Sequence, residues 1–149
     1  MATKENDVRI RQMEETDIDA ILEIDRIISG VERAVTYDNL ANGIIGGEIS
    51  CSFVAQVGGQ IVGFVFSTIA YVPEEVSRAC IIQILGVHPD YQHQGIARKL
   101  ISALAETCSS KEIKTIRVMV ERHDKQLQGL FETLEFRPGN LIDYALALP

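Results

Sequence analysis

Between Ile81 and Leu100 the sequence reads IIQILGVHPDYQHQGIARKL, which divides into a strand, a tight loop and a helix. Ile81, Ile82, Ile84, Leu85 and Val87 form a near-continuous apolar run, the pattern of a strand covered on both faces. Pro89 biases His88 toward an extended conformation and ends the run. Gly95 allows a ligand to approach the backbone closely. From Ile96 onward, Leu100, Ile101 and Leu104 recur on one helical face with Ala97 and Ala103 beside them. The first amides of such a helix have no partner inside it, so its start is a place for phosphate. Arg98 and Lys99 fall in the first turn and the only acid, Glu106, near the far end. The helix dipole favours the reverse by roughly 0.3–1 kcal/mol per charge. A bound polyanion accounts for the inversion, and a solvated basic face accounts for it equally.

Other phosphate loops do not fit. There is no G-x-x-x-x-G-K-[ST] and no G-x-G-x-x-G after a strand, which argues against P-loop and dinucleotide folds. At 149 residues, one domain over residues 1–149 is the expectation. Hydrophobic residues make up 46% of the chain, which argues against disorder. A net charge of −7 argues against nucleic acid and suits a cationic partner such as an amine. Cys51, Cys80 and Cys108 are scattered, odd in number and without a C-x-x-C, so reduced core residues, with no disulfide and no metal, are expected. The polar start MATKENDVRI reads as no signal peptide, and no apolar run reaches the ~20 residues of a membrane span. A cytoplasmic protein without a membrane partner follows as the expectation.

Along the chain, Val8–Gln12 reads as a strand, and Thr16 as the N-cap of a helix carrying Ile18, Ile21, Leu22, Ile24 and Ile28 and stopped by Gly30. A weaker helix is expected from Glu32 to Ile45. Ser52–Val57 and Gln60–Ile69 read as a hairpin about Gly58-Gly59. A loop about Pro73-Glu74-Glu75 leads into the motif strand. After the motif helix, Lys114–Val120 is β-rich, Leu127, Leu130, Phe131 and Leu134 mark a helix, and Phe136 and Leu141–Leu148 read as terminal strands. Strand–helix alternation with one hairpin means a mixed α/β sheet.

On these residues the chain resembles the GNAT superfamily of acyl-CoA-dependent N-acyltransferases. That family's motif [QR]-x-x-G-x-[GA] is matched by Gln92-x-x-Gly95-x-Ala97, preceded by Val87-His88-Pro89-Asp90-Tyr91. A second landmark, N-x-x-A-x-x-L-Y then G-F, is matched in part by Asp124-x-x-Leu127-x-x-Leu130-Phe131 and Glu135-Phe136. The resemblance implies a mostly antiparallel sheet flanked by helices, with two central strands splayed apart to admit acyl-CoA. Amides of His93, Gln94, Gly95, Ile96, Ala97 and Arg98, after Gln92, would then cradle the pyrophosphate. The backbone of Leu85, Gly86 and Val87 would pair with the pantetheine arm, with Gly86 keeping that strand edge clear. A backbone amide would polarise the thioester carbonyl of acetyl-CoA.

The implied reaction is direct attack by an amine, carried by a small molecule or a protein, in a ternary complex. An amine with a pKa near 10.4 must lose a proton first. The family's Glu on the later strand aligns with Met119, and its motif-strand alternatives with Ile81 and Gln83. Glu121, two residues beyond Met119 and on the same face by strand alternation, is the expected base. Phe131 stands where the family often has a Tyr acid, and is expected beside the thioester sulfur. Asp124 replaces an Asn at the cofactor's phosphate end. Asp25, Glu32, Tyr37, Asp38, Glu74 and Glu75 are the groups expected to draw an amine. Three other readings stay open: a catalytically silent acyl-CoA-binding module, a protein N-terminal or longer-chain acyltransferase, and an unrelated α/β domain for another phosphate compound. The acceptor amine and a homodimer also stay open.

Overall fold

The computed structural model describes residues 7–30, 51–73 and 77–149. Five strands form one sheet in chain order: β1 (Val8–Gln12), β2 (Phe53–Val57), β3 (Gln60–Val72), β4 (Ser77–Val87) and β5 (Ile116–Val118). The first four pair antiparallel, and β4 with β5 is parallel. Helix α1 (Ile18–Ser29) follows β1, α2 (Ile96–Ser110) is the crossover from β4 to β5, and α3 (Lys125–Thr133) follows β5. The mixed, mostly antiparallel sheet flanked by helices is therefore present.

Strand β3 explains why the sheet lies between helices. Phe64 and Phe66 pack with Val54 and with Met13, Ile18, Ile21 and Ile24 of the α1 side. Val62 and Val65 join Phe53, Ala55 and Ile82 beneath Ile96, Leu100 and Leu104 of α2. From Gly63 to Phe66 alternation feeds two cores, one on each face, and the bulge that leaves Val62 without a β2 partner between Gly63 and Ile61 brings it to the same face as Val65.

Several boundaries move. A 3-10 turn over Glu15–Asp17 precedes α1, so Thr16 is not its N-cap; Glu14 and Asp17 instead exchange a reciprocal capping box. The same Asp17 carboxylate receives both Arg11 guanidinium nitrogens at 2.8 Å, fixing β1 to the start of α1. Gly30 stops α1 with φ 74°. The expected helix Glu32–Ile45 lies outside the described residues. Strand β4 begins four residues before the apolar run, at Ser77, because ladder pairing from Val72 to Ser77 outweighs the polarity of Ser77 and Arg78. The expected strands from Phe136 to Leu148 are absent: residues 137–149 are exposed, with Ile142 76%, Tyr144 90%, Leu146 85% and Leu148 81% accessible. Their alternating pattern satisfies the sequence rule, but no ladder partner meets them among the described residues.

Burial pushes the Asp17 carboxyl upward, yet the Arg11 guanidinium and the Glu14 amide outweigh it and hold the pKa below the ordinary value. A depressed folded-state pKa contributes stability above the unfolded value of 3.8, lost as pH falls through the lower folded value. Asp17→Asn should cost about 3 kcal/mol at neutral pH by leaving Arg11 without its counter-charge. Denaturant melts from pH 6 to pH 2 should show a flatter acid limb in the variant than in the unmodified protein.

Candidate active site

Strand β4 has two neighbours for only part of its length. It pairs with β5 over Cys80, Ile81 and Ile82, opposite Ile116, Arg117 and Val118. It keeps pairing with β3 as far as Val87, opposite Gly63. From Gln83 to Val87 one edge of β4 is open among the described residues. His88 N–H donates to Val62 O on β3 at 2.8 Å, so by strand alternation the amides of Leu85 and Val87 point to the open side and that of Gly86 toward β3.

The expected role of Gly86 therefore changes. A Cβ there would lie 2.9 Å from Phe64 Cε1 and 3.1 Å from Ile28 Cδ1. Its missing side chain makes room for the α1-side core, and the open edge belongs to its two neighbours.

Beyond Val87 the chain makes a 3-10 turn over Pro89–Tyr91, held by Asp90 N–H donating to His88 Nδ1 at 3.1 Å. Gln92 Nε2 donates to Val87 O at 3.0 Å, so this motif side chain shapes the loop. His93 (φ 64°) and Gly95 (φ 81°) are left-handed, and Gly95 is the N-cap of α2 without a side-chain cap. Left-handed residues on either side of Gln94 alternate the backbone hand through the loop, the pattern that turns successive amides to one side in an anion-binding nest. No backbone carbonyl among the described residues meets the amides of residues 93–98. Beside them, a groove of about 580 Å³ has Ile10, Gln94, Arg98, Lys99, Ser102 and, at a later turn of α2, the acidic Glu106 among its lining residues. Ile10 and Ser102 were missed in the sequence; Ser102 was findable, four residues after Arg98 on one helical face, whereas Ile10 carries no local signal.

Side chains expected at the ligand have other partners. The Arg98 guanidinium donates to Thr133 O at 2.7 Å, at the C-terminus of α3. A cation in the first turn of α2 is thus opposite the negative end of another helix, which accounts for Arg98 without a ligand. Asp124 Oδ1 accepts Leu127 N–H at 3.0 Å and caps the start of α3, instead of approaching a phosphate. Strand alternation does not extend to Glu121, because β5 ends at Val118; the exposed Glu121 carboxylate accepts His123 N–H at 2.7 Å in the following turn. Phe131 is buried in the α2-side core, edge-on to Phe136 at 5.1 Å. Gln83 is exposed and donates weakly to Thr68 Oγ1 at 3.4 Å. Of the acidic and phenolic groups expected to draw an amine, Asp25 is buried in α1 and the others lie outside the described residues.

Residues 18–136 match the model of the acetyltransferase (GNAT) family. An acetyltransferase of Pectobacterium atrosepticum is 36% identical over 89 residues, covering 60% of this chain and 59% of the relative. The chain thus spans less than two thirds of the curated relatives it matches. The fold is similar to an aminoglycoside N-acetyltransferase in complex with CoA, at TM-score 0.80 and 19% identity over 94% of each chain. It is also similar to a ribosomal-protein-alanine N-acetyltransferase from Brucella melitensis biovar Abortus, at TM-score 0.75 and 20% identity over 95% of this chain and 99% of that one.

Adding a methyl at Gly86 tests the packing account. Gly86→Ala should destabilise by about 1–3 kcal/mol, as overpacking does. Phe64→Leu in the same chain should recover part of that loss in a denaturant melt. Additive losses in the double variant would show that the two positions do not meet.

Proposed function

The chain belongs to the GNAT acetyltransferase family, and we propose that it transfers the acetyl group of acetyl-CoA to a primary amine by direct attack within a ternary complex. One observation carries this reading: the open edge of β4 leads, through the turn over Pro89–Tyr91, to the uncapped start of α2. A ligand needing these donors in this order has an amide-bearing arm ending in a pyrophosphate, which is the shape of an acyl-CoA. The amides of Leu85 and Val87 and the carbonyl of Leu85 face the open edge, where an extended arm can bond as a further strand would, while the Val87 carbonyl already accepts from Gln92. The amides of residues 93–98 suit the pyrophosphate, with Lys99 lining the adjoining groove.

Acetyl-CoA, when bound, supplies an activated thioester. The chain supplies orientation and an amide of the open β4 edge for the developing oxyanion. The acceptor is an amine on a small molecule or a protein; relatives of the same fold include enzymes for aminoglycosides and for ribosomal-protein alanine. Glu121 remains the assigned base only as part of this proposal, since its carboxylate serves a turn. No described helix is long and apolar enough to cross a membrane.

A second reading, an acyl-CoA-binding module without turnover, is favoured by two observations: the turn-bound Glu121 and the apolar Phe131 at the site of the usual acid. Thermal unfolding with acetyl-CoA, CoA and ATP comes first. Saturation at about 100 times Kd should add ~2.7 kcal/mol, a shift of a few degrees, with the two CoA ligands but not with ATP. No shift at millimolar acetyl-CoA in folded, ligand-free protein overturns both readings. Thiol release from acetyl-CoA on addition of amines then separates enzyme from module. In an active preparation, Glu121→Gln should lower kcat about 10²–10⁴-fold if Glu121 is the assigned base, and a fall of less than about tenfold removes it from that role and leaves it to its turn.

A further inference from the structure

The three cysteines, far apart in sequence, meet in the fold. Cys51 precedes β2, Cys80 lies in β4 and Cys108 in α2, and all three are buried without a disulfide. Their sulfur atoms lie within 4.8 Å of one another. The Ser67 hydroxyl, fully buried on β3, lies 3.2 Å from Cys80 Sγ. Three soft donors thus converge, and the Ser67 oxygen, whose hydrogen is donated to the Cys51 carbonyl, stands beside the Cys80 sulfur with a lone pair to spare.

The geometry points to a closed site for a thiophilic cation, in which Cys51, Cys80 and Cys108 bind Zn(II) with Ser67 Oγ as the fourth donor. Metal–thiolate bonds of about 2.3 Å place three sulfurs about 3.8–4.0 Å apart. The sulfurs need close by no more than about 1 Å from their limit of 4.8 Å. A disulfide, with S–S near 2.05 Å, would require a larger movement of two of them and leave the third thiol over. Thiolate ligands select Zn(II) and Cu(I) among the common cations. Charge separates these two. Three thiolates leave one net negative charge around Zn(II) and two around Cu(I); the Lys111 charge, which favours the Cys51 thiolate, offsets the single charge of the zinc site and leaves the copper site with an uncompensated one beside Ile69, Ile82 and Ile113.

On binding, three S–H bonds break, three Zn–S bonds form and three protons leave to solvent. The ion would join β4 to α2, the two elements that frame the proposed active site, while lying outside the β4 edge and helix start used there. The isolated spacing of the cysteines hides this convergence, because the expectation of no metal rested on the absence of a short Cys-x-x-Cys pair. This inference does not depend on the acetyltransferase reading.

The full chain, reduced and stripped of metal under argon, would be titrated with Zn(II) against a chromophoric chelator, and separately with Cu(I) and with Co(II) as a spectroscopic probe. The expected result is one Zn(II) per chain, release of about three protons per ion and a thermal shift of several degrees. Tetrahedral d–d intensity and thiolate charge-transfer bands should appear with Co(II). Cys51→Ala and Cys108→Ala should each weaken Zn(II) at least a hundredfold while keeping a native circular-dichroism spectrum; Ser67→Ala should weaken it less and change the cobalt spectrum. The proton count is read on the unmodified chain, so it decides the matter even if a variant fails to fold. No stoichiometric uptake of any of the three ions, or uptake without proton release, overturns the site. Cu(I) uptake without Zn(II) uptake overturns the choice of zinc and supports the three-thiolate site.

Discussion

Everything at the proposed active site depends on the early end of β5. Had β5 continued beside β4 to Val87, every β4 amide would be paired and the crossover helix would start against a closed sheet. It ends at Val118 because the chain then commits its polar groups to a turn: Glu121 takes the His123 amide, and Asp124 caps α3. Strand β4 stays extended without that partner because β3 pairs it as far as Val87 on the other side. The open edge is thus the result of one ladder ending before the other, and it survives because exposed backbone groups can be met by water.

The same strand geometry fixes how closely the two helices approach. Phe64 fills the α1 side so fully that no Cβ fits at Gly86. On the α2 side, Ile96 and Leu100 lie against the sheet with Val62 and Val65. The start of α2 is therefore positioned by buried apolar contacts and not by a capping side chain. That leaves its amides uncommitted, which is what an anion-binding helix start requires.

Side-chain chemistry near this start serves architecture more than the sequence pattern suggests. Arg98 satisfies the end of α3, Gln92 folds back on Val87, and His88 closes the 3-10 turn. The donors left for a ligand are mainly backbone. This tolerance explains how a family motif can be met by as few as Gln92, Gly95 and Ala97: the motif specifies a loop shape, and the loop shape presents the amides.

Strand β1, the Gly58-Gly59 hairpin, the Gly30 stop and the strand–loop–helix of the motif were all legible locally, since each rests on periodicity or on residues that only a turn tolerates. The positions of the free amides at the start of α2 followed from the same logic. What the chain alone could not reveal were the long-range partners. Whether β5 reaches residue 121, whether Arg98 meets a ligand or a helix end, and whether Leu141–Leu148 finds a ladder all depend on elements distant in sequence. So does the meeting of Cys51, Cys80 and Cys108. Local sequence determined which segments are strand, turn and helix; tertiary packing decided which hydrogen-bonding groups and sulfurs were left facing one another, because only packing sets the distances between them.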